Sequence, residues 1–106
     1  MSDNVIELNS SNFDSVINKG NWVVDFWADW CMPCKAMAPH FEAAAKELKG
    51  KVGFAKVNVD KVPDVAQRFD IMSIPTMIFF KSKEQVNRTS GAMHKEAILK
   101  LAEESF

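Results

Sequence analysis

Apolar and polar positions along this chain follow two different periods, and the points where one gives way to the other mark out strands and helices. Val5-Ile6-Glu7-Leu8 reads as a short strand, and Ser10 or Ser11 offers an N-cap for a helix carrying Phe13, Val16 and Ile17, which Gly20 ends. Trp22 to Ala28 is almost unbroken in apolar side chains, the signature of a strand covered on both faces, so Asp25 at its centre is expected to be buried. From Pro33 onward, Cys34, Met37, Ala38, Phe41, Ala45 and Leu48 fall on one helical face, with Glu42, Lys46 and Lys49 turned outward and Gly50 as the stop. Pro39 lies inside that helix, where its ring crowds the carbonyl of Lys35 and predicts a kink.

The alternation continues to the end of the chain. Val52 to Val59 reads as a second buried strand containing Lys56, and Val62 to Phe69 as a short helix with Pro63 in its first turn. Ile74-Pro75-Thr76 opens a third apolar strand that runs to Lys81, and a turn around Ser82-Lys83-Glu84 joins it to a strand over Gln85 to Thr89. Gly91 leads into a last helix with Ala97, Ile98, Leu101 and Ala102 inward. The order is that of an α/β protein, although periodicity alone does not give the sheet topology.

Length confines this pattern to one domain over residues 1–106, large enough for a core without staples or metals. A net charge of -1, with a quarter of the residues charged, favours neither disorder nor a polyanion-binding surface, so nucleic acid is not an expected partner. The first residues carry no basic, apolar or cleavage signature, and no stretch is apolar enough to span a membrane. With Met1 at the start, the expected location is the cytoplasm, with no membrane partner.

The chain has only two cysteines, in Trp30-Cys31-Met32-Pro33-Cys34, at the junction between the buried strand and the following helix. Closing a four-residue ring restricts the unfolded chain by about 2 kcal/mol, against nearly 5 for a hundred-residue loop, so such a pair is poorly placed for stability alone. Two thiols at a strand-to-helix junction are the geometry of a redox dithiol. His40 and His94 lie far outside the spacing of about three to five residues found in Cys2His2 zinc sites, so both read as surface or capping residues, and no metal or other cofactor is expected.

These residues resemble the thioredoxin family over nearly the whole chain. The resemblance rests on Val24-Asp25-Phe26-Trp27-Ala28-Asp29-Trp30-Cys31-Met32-Pro33-Cys34-Lys35, then on Pro39, Ala55-Lys56-Val57-Asn58-Val59-Asp60, Ile74-Pro75-Thr76 and Gly91-Ala92. It implies a central mixed sheet of five strands flanked by four helices, with the dithiol at the start of the second helix. It also implies a monomer that reduces protein disulfides and is itself reduced by a thioredoxin reductase.

The chemistry follows from the residues. A thiolate attacks a disulfide sulfur, and a second thiol then displaces the reduced substrate from the mixed disulfide. Cys31, at the helix N-terminus, is the expected attacker, because unpaired amides and the helix dipole favour its negative charge. Cys34, one turn further in and less exposed, is the resolving thiol. Asp25 is the acidic group that the sequence places in the adjacent strand interior, where burial raises its pKa toward that of a proton acceptor. The resemblance gives Asp25 that role and sets Lys56 beside it to modulate its charge; a salt bridge that only fixes strand pairing is the alternative.

For Pro75, the frequency of cis bonds favours an ordinary trans proline at a strand opening, whereas the resemblance implies a cis bond lying against the dithiol. Ile74 would then offer its backbone to an extended substrate, with Trp30 shielding the attacking sulfur and Trp27 packed beneath it. Met32 stands where most of the family has glycine, which leaves the redox poise open, while Pro33 favours the thioredoxin side over the disulfide isomerases. By the same resemblance Met72 and Met93 flank the dithiol with Met32, and flexible thioethers suit a surface that accepts unrelated partners; ordinary loop packing is the alternative. Other readings are an isomerase or oxidase of shifted potential, a docking or holdase module with an incidental dithiol, and two chains sharing a metal through paired Cys-x-x-Cys motifs.

Overall fold

The computed structural model describes residues 4–106, so the reading of Met1 to Asp3 lies outside the described residues. Strands β1 (Val5–Glu7), β2 (Asn21–Trp27), β3 (Gly53–Asn58), β4 (Thr76–Lys81) and β5 (Glu84–Ser90) form one sheet in the order β1-β3-β2-β4-β5. The first three are mutually parallel, and β4 runs antiparallel to both β2 and β5. Helices α1 (Phe13–Ile17), α2 (Met32–Glu47), α3 (Pro63–Arg68) and α4 (Lys95–Ser105) complete the alternation. No helix among the described residues is long and apolar enough to cross a membrane.

Side chains alternate across each strand, so the central strands feed two separate cores. Val23, Phe54, Met77 and Phe79 pack with Met37, Phe41 and Ala44 of α2 and with Ile98 and Ala102 of α4. Val24, Phe26, Ala55, Val57, Ile78 and Phe80 pack on the other face with Phe13 and Ile17 of α1 and Val65 of α3. β2 is therefore covered on both sides, which explains its near-continuous apolar run. Asp25 shares the face of Val23, looks toward α2, and is 5% exposed.

Local details depart from the sequence reading in several places. The N-cap of α1 is Asn12, not Ser10 or Ser11, and its side chain makes no cap bond to the helix. The Asn9 side chain instead accepts from the Ser11 and Asn12 backbone amides, and the Ser10 hydroxyl donates to Asp64. Ala38 and Ala97 are exposed, whereas Ala44 is buried, because the packed stripe on each helix is narrower than the apolar pattern. The β4–β5 turn has two residues, with Ser82 at φ 48° and Lys83 at φ 78°, the left-handed pair that a type I′ hairpin needs even without glycine.

Gly53 opens β3 directly opposite Trp22 of β2. A Cβ there would lie 2.5 Å from the rigid indole ring, so the backbone approach requires the absence of a side chain. Gly53→Ala is expected to lower stability by about 1–3 kcal/mol in urea unfolding, the usual effect of overpacking. The turnover of the folded fraction should stay unchanged, because the clash lies at the end of β2 opposite the cysteines.

Candidate active site

β2 ends at Trp27, and the chain turns through Ala28, Asp29 and Trp30 before α2 begins. Cys31 is the N-cap of α2, in extended conformation at φ -89° and ψ 106°, and Pro33 fills the first turn, where a missing amide hydrogen costs no helical bond. Cys31 and Cys34 are joined in a disulfide with their Cα atoms 5.3 Å apart. The Cys34 amide donates to Cys31 Sγ at 3.2 Å. That donor and the first-turn dipole both point at the sulfur of Cys31, an arrangement that stabilises a thiolate once the disulfide opens.

Exposure alone does not distinguish the two sulfurs as the sequence suggested, since Cys31 is 4% and Cys34 3% exposed. Their surroundings do. Cys31 Sγ lies 3.8 Å from the carbonyl oxygen of Ile74, on the side where the chain reaches the surface. Cys34 lines a partly open cavity of about 80 Å³ together with Asp25, Trp27, Ala38, Phe41 and Lys56, with Lys35 and Glu42 at its exposed side. Burial raises the Asp25 carboxyl from 3.8 to about 7, and the nearby Lys56 charge partly opposes that rise. One oxygen of Asp25 and the indole nitrogen of Trp27 have no hydrogen-bond partner, and a cavity of that size accommodates water beside them.

Lys56 is the cross-strand partner of Asp25 in the parallel β2–β3 ladder. Its ammonium sits 5.1 Å over the Trp27 ring, a cation–π contact, and not in an ion pair with the carboxylate. The buried salt bridge weighed from the sequence is therefore replaced by a looser electrostatic influence on a carboxyl that has no close counterion.

The Ile74–Pro75 bond is cis, as the resemblance implies. Thr76 Oγ1 donates to the Ser73 carbonyl at 2.7 Å, which closes the loop before β4. Gly91, at φ +97°, donates its amide to the Pro75 carbonyl at 2.8 Å, tying the Gly91-Ala92-Met93 segment to the same loop. Trp30 is 68% exposed and donates from its indole nitrogen to Asp60 at 2.9 Å, so the ring lies anchored on the surface. A groove of about 380 Å³ runs between Trp30, Val59, Ile71, Met72, Ser73 and Ile74.

The three methionines do not behave alike. Met32 and Met72 are 70% and 92% exposed, but Met93 is half-buried and packs on the core between α2 and α4. Sequence reasoning missed Asp60, which fixes the Trp30 ring, and the pairing of His40 with His94, whose rings meet at 4.6 Å. The run Val57-Asn58-Val59-Asp60 held a cue to the first; no local pattern pointed to the second. Among the described residues, no group of three or more His, Cys, Asp or Glu side chains is arranged to hold a metal ion.

Comparison with known proteins agrees with this geometry. The thioredoxin family model matches residues 4–104. A thioredoxin of Staphylococcus saprophyticus is 42% identical over 99 residues, covering 93% of this chain and 95% of that protein. One from Staphylococcus haemolyticus is 45% identical over 92 residues, covering 87% and 88%, and one from Staphylococcus aureus is 40% identical over the same shares. With its disulfide at the N-terminus of α2, a cis proline beside it and a mixed five-stranded sheet behind, the chain belongs to the thioredoxin family of thiol-disulfide oxidoreductases.

Proposed function

We propose that this chain is a single-domain reductant of protein disulfides, in which Cys31 attacks, Cys34 resolves and Asp25 takes the resolving proton. The observation that carries the reading is that Cys34 and a buried carboxyl raised to about 7 line one cavity, while Cys31 faces the substrate side. The Cys31 thiolate attacks one sulfur of a substrate disulfide, forming a mixed disulfide and releasing the other substrate sulfur as a thiolate. Cys34 then gives its proton to Asp25, directly or through one water, and attacks Cys31 Sγ. The bond between Cys31 and the substrate breaks, the second substrate sulfur leaves reduced, and the Cys31–Cys34 disulfide forms.

The other site residues support that exchange from outside. The backbone of Ile74, set by Pro75, borders the sulfur of Cys31, and the segment Gly91-Ala92-Met93, tied to the Pro75 carbonyl, receives with it an extended stretch of substrate. Trp30, Met32 and Met72 offer exposed apolar surface with few fixed hydrogen bonds, which suits partners of unrelated sequence. Pro33 holds the first turn of α2, Trp27 closes the cavity, and Lys56 moderates the carboxyl. Substrates are disulfide-containing proteins, and a thioredoxin reductase returns the electrons.

Replacing Cys34 removes the resolving thiol and leaves the attacker. Cys34→Ser is expected to accumulate a covalent complex with protein disulfides, seen on non-reducing gels and dissolved by dithiothreitol. A chain that only docks would form no such complex.

Asp25 makes a prediction with a definite sign. Below its ordinary value both folded and unfolded chains hold the proton; between there and about 7 only the folded chain does. Stability therefore declines as pH rises through that window and is level above it. Asp25→Asn should be more stable than the parent above pH 7, by at most about 4 kcal/mol from the size of the shift, and equally stable near pH 3. The same variant should resolve mixed disulfides about 10²-fold more slowly at pH 8, without the parent's fall in rate below pH 7. Stopped-flow tryptophan fluorescence and urea unfolding across pH check the two halves, and an unchanged rate would refute the proton-acceptor role.

A further inference from the structure

α4 begins without the usual means of satisfying its first amides. Its N-cap is His94, in extended conformation at φ -77° and ψ 164°, and the His94 side chain makes no cap bond. The Lys95 amide, the first orphan donor of the helix, instead donates to Nδ1 of His40 at 3.2 Å, across from the middle of α2. An accepting Nδ1 places the proton of the neutral ring on Nε2. The His40 and His94 rings pack edge to face at 4.6 Å, and Lys95 Nζ reaches Glu47 Oε1 at 3.1 Å, so α2 and the start of α4 are joined at two levels.

The segment held by this cap is tied to the loop that contacts the dithiol. Gly91 is fixed to the Pro75 carbonyl, and Ile74 before it contacts Cys31 Sγ. Ala92 and Met93 then cross to His94, lining an open surface groove of about 240 Å³ with His40 and with Ala36 and Met37 of α2. The segment is pinned at one end by Pro75 and at the other by His40.

We infer that His40 is a positioning residue for substrate docking, capping α4 from α2 and so fixing the Gly91-Ala92-Met93 segment against the Ile74-Pro75 loop that contacts Cys31. The inference rests on the reading of that segment as part of the docking surface. His40 touches neither sulfur, so its loss acts on the binding of a folded protein disulfide and not on the reactivity of Cys31.

The test compares the parent chain with His40→Leu, which keeps bulk but has no acceptor, and with His40→Asn, whose side-chain oxygen can take the place of Nδ1. His40→Leu is expected to speed hydrogen exchange at the Lys95 amide about tenfold and to raise KM for a folded protein disulfide roughly threefold to tenfold, the scale of one lost helix cap. kcat and the rate with a small aromatic disulfide should not change, and His40→Asn should restore both altered values. In the parent chain, NMR should show coupling across the hydrogen bond between the Lys95 amide nitrogen and His40 Nδ1, a readout that does not depend on any variant folding.

Absence of that coupling, or unchanged exchange at Lys95, would overturn the cap. Faster exchange with an unchanged KM would overturn the link to docking, as would an equal loss on the small disulfide. Failure of the parent chain to cleave the aromatic disulfide would instead refute the redox reading and leave the cap standing, since exchange and coupling report it independently.

Discussion

A carboxyl group buried on the central strand of the sheet is the constraint around which the rest of this molecule is arranged. β2 is the middle strand, covered by helices on both faces, and Asp25 occupies a position where apolar packing would otherwise continue. An unpaired carboxylate is costly there, and its proton affinity rises until ionisation falls near neutral pH. That placement lowers stability at neutral pH and gains a group able to accept a proton beside a thiol. Lys56 is near enough to moderate the charge yet is drawn over the Trp27 ring, so the carboxyl is not locked in its ionised form.

The two sulfurs owe their different surroundings to the junction between β2 and α2. The strand carries the chain to one end of the sheet, and after three residues the helix starts with Cys31 as its cap and Pro33 in its first turn. A single helical turn then directs Cys34 inward to the cavity of Asp25, while Cys31 stays beside Ile74. Nearly equal burial of the sulfurs in the disulfide is thus compatible with unequal chemistry, because one borders the loop surface and the other an ionisable interior. The antiparallel arrival of β4 next to β2 sets Pro75 and Ile74 at the same end of the sheet.

The surface proposed for docking is built differently from the interior. Its loops are held by a few directional bonds, from Trp30 to Asp60, Thr76 to Ser73, Gly91 to Pro75 and Lys95 to His40. Between these anchors lie exposed Met32 and Met72, whose flexible side chains impose little geometry of their own. Rigid backbone with adaptable side chains fits a surface that orients an extended segment without selecting its sequence.

Much of this was legible in the chain itself. The unbroken apolar run of β2 fixed a strand buried on both faces and with it the burial of Asp25, since backbone period and hydrophobicity are local properties. The spacing of Cys31 and Cys34 at a strand-to-helix junction likewise fixed the dithiol chemistry, because one helical turn brings those thiols together wherever the helix lies. Parity along β2 and β3 could place Asp25 and Lys56 on matching faces only once their pairing was known. Tertiary structure alone decided that Lys56 lies over Trp27, that Asp60 anchors Trp30, that Ala38 and Ala97 turn outward, and that His40 meets Lys95. Each of these depends on the distance and angle at which separate elements pack, a quantity carried by the whole set of core contacts and by no single stretch of residues.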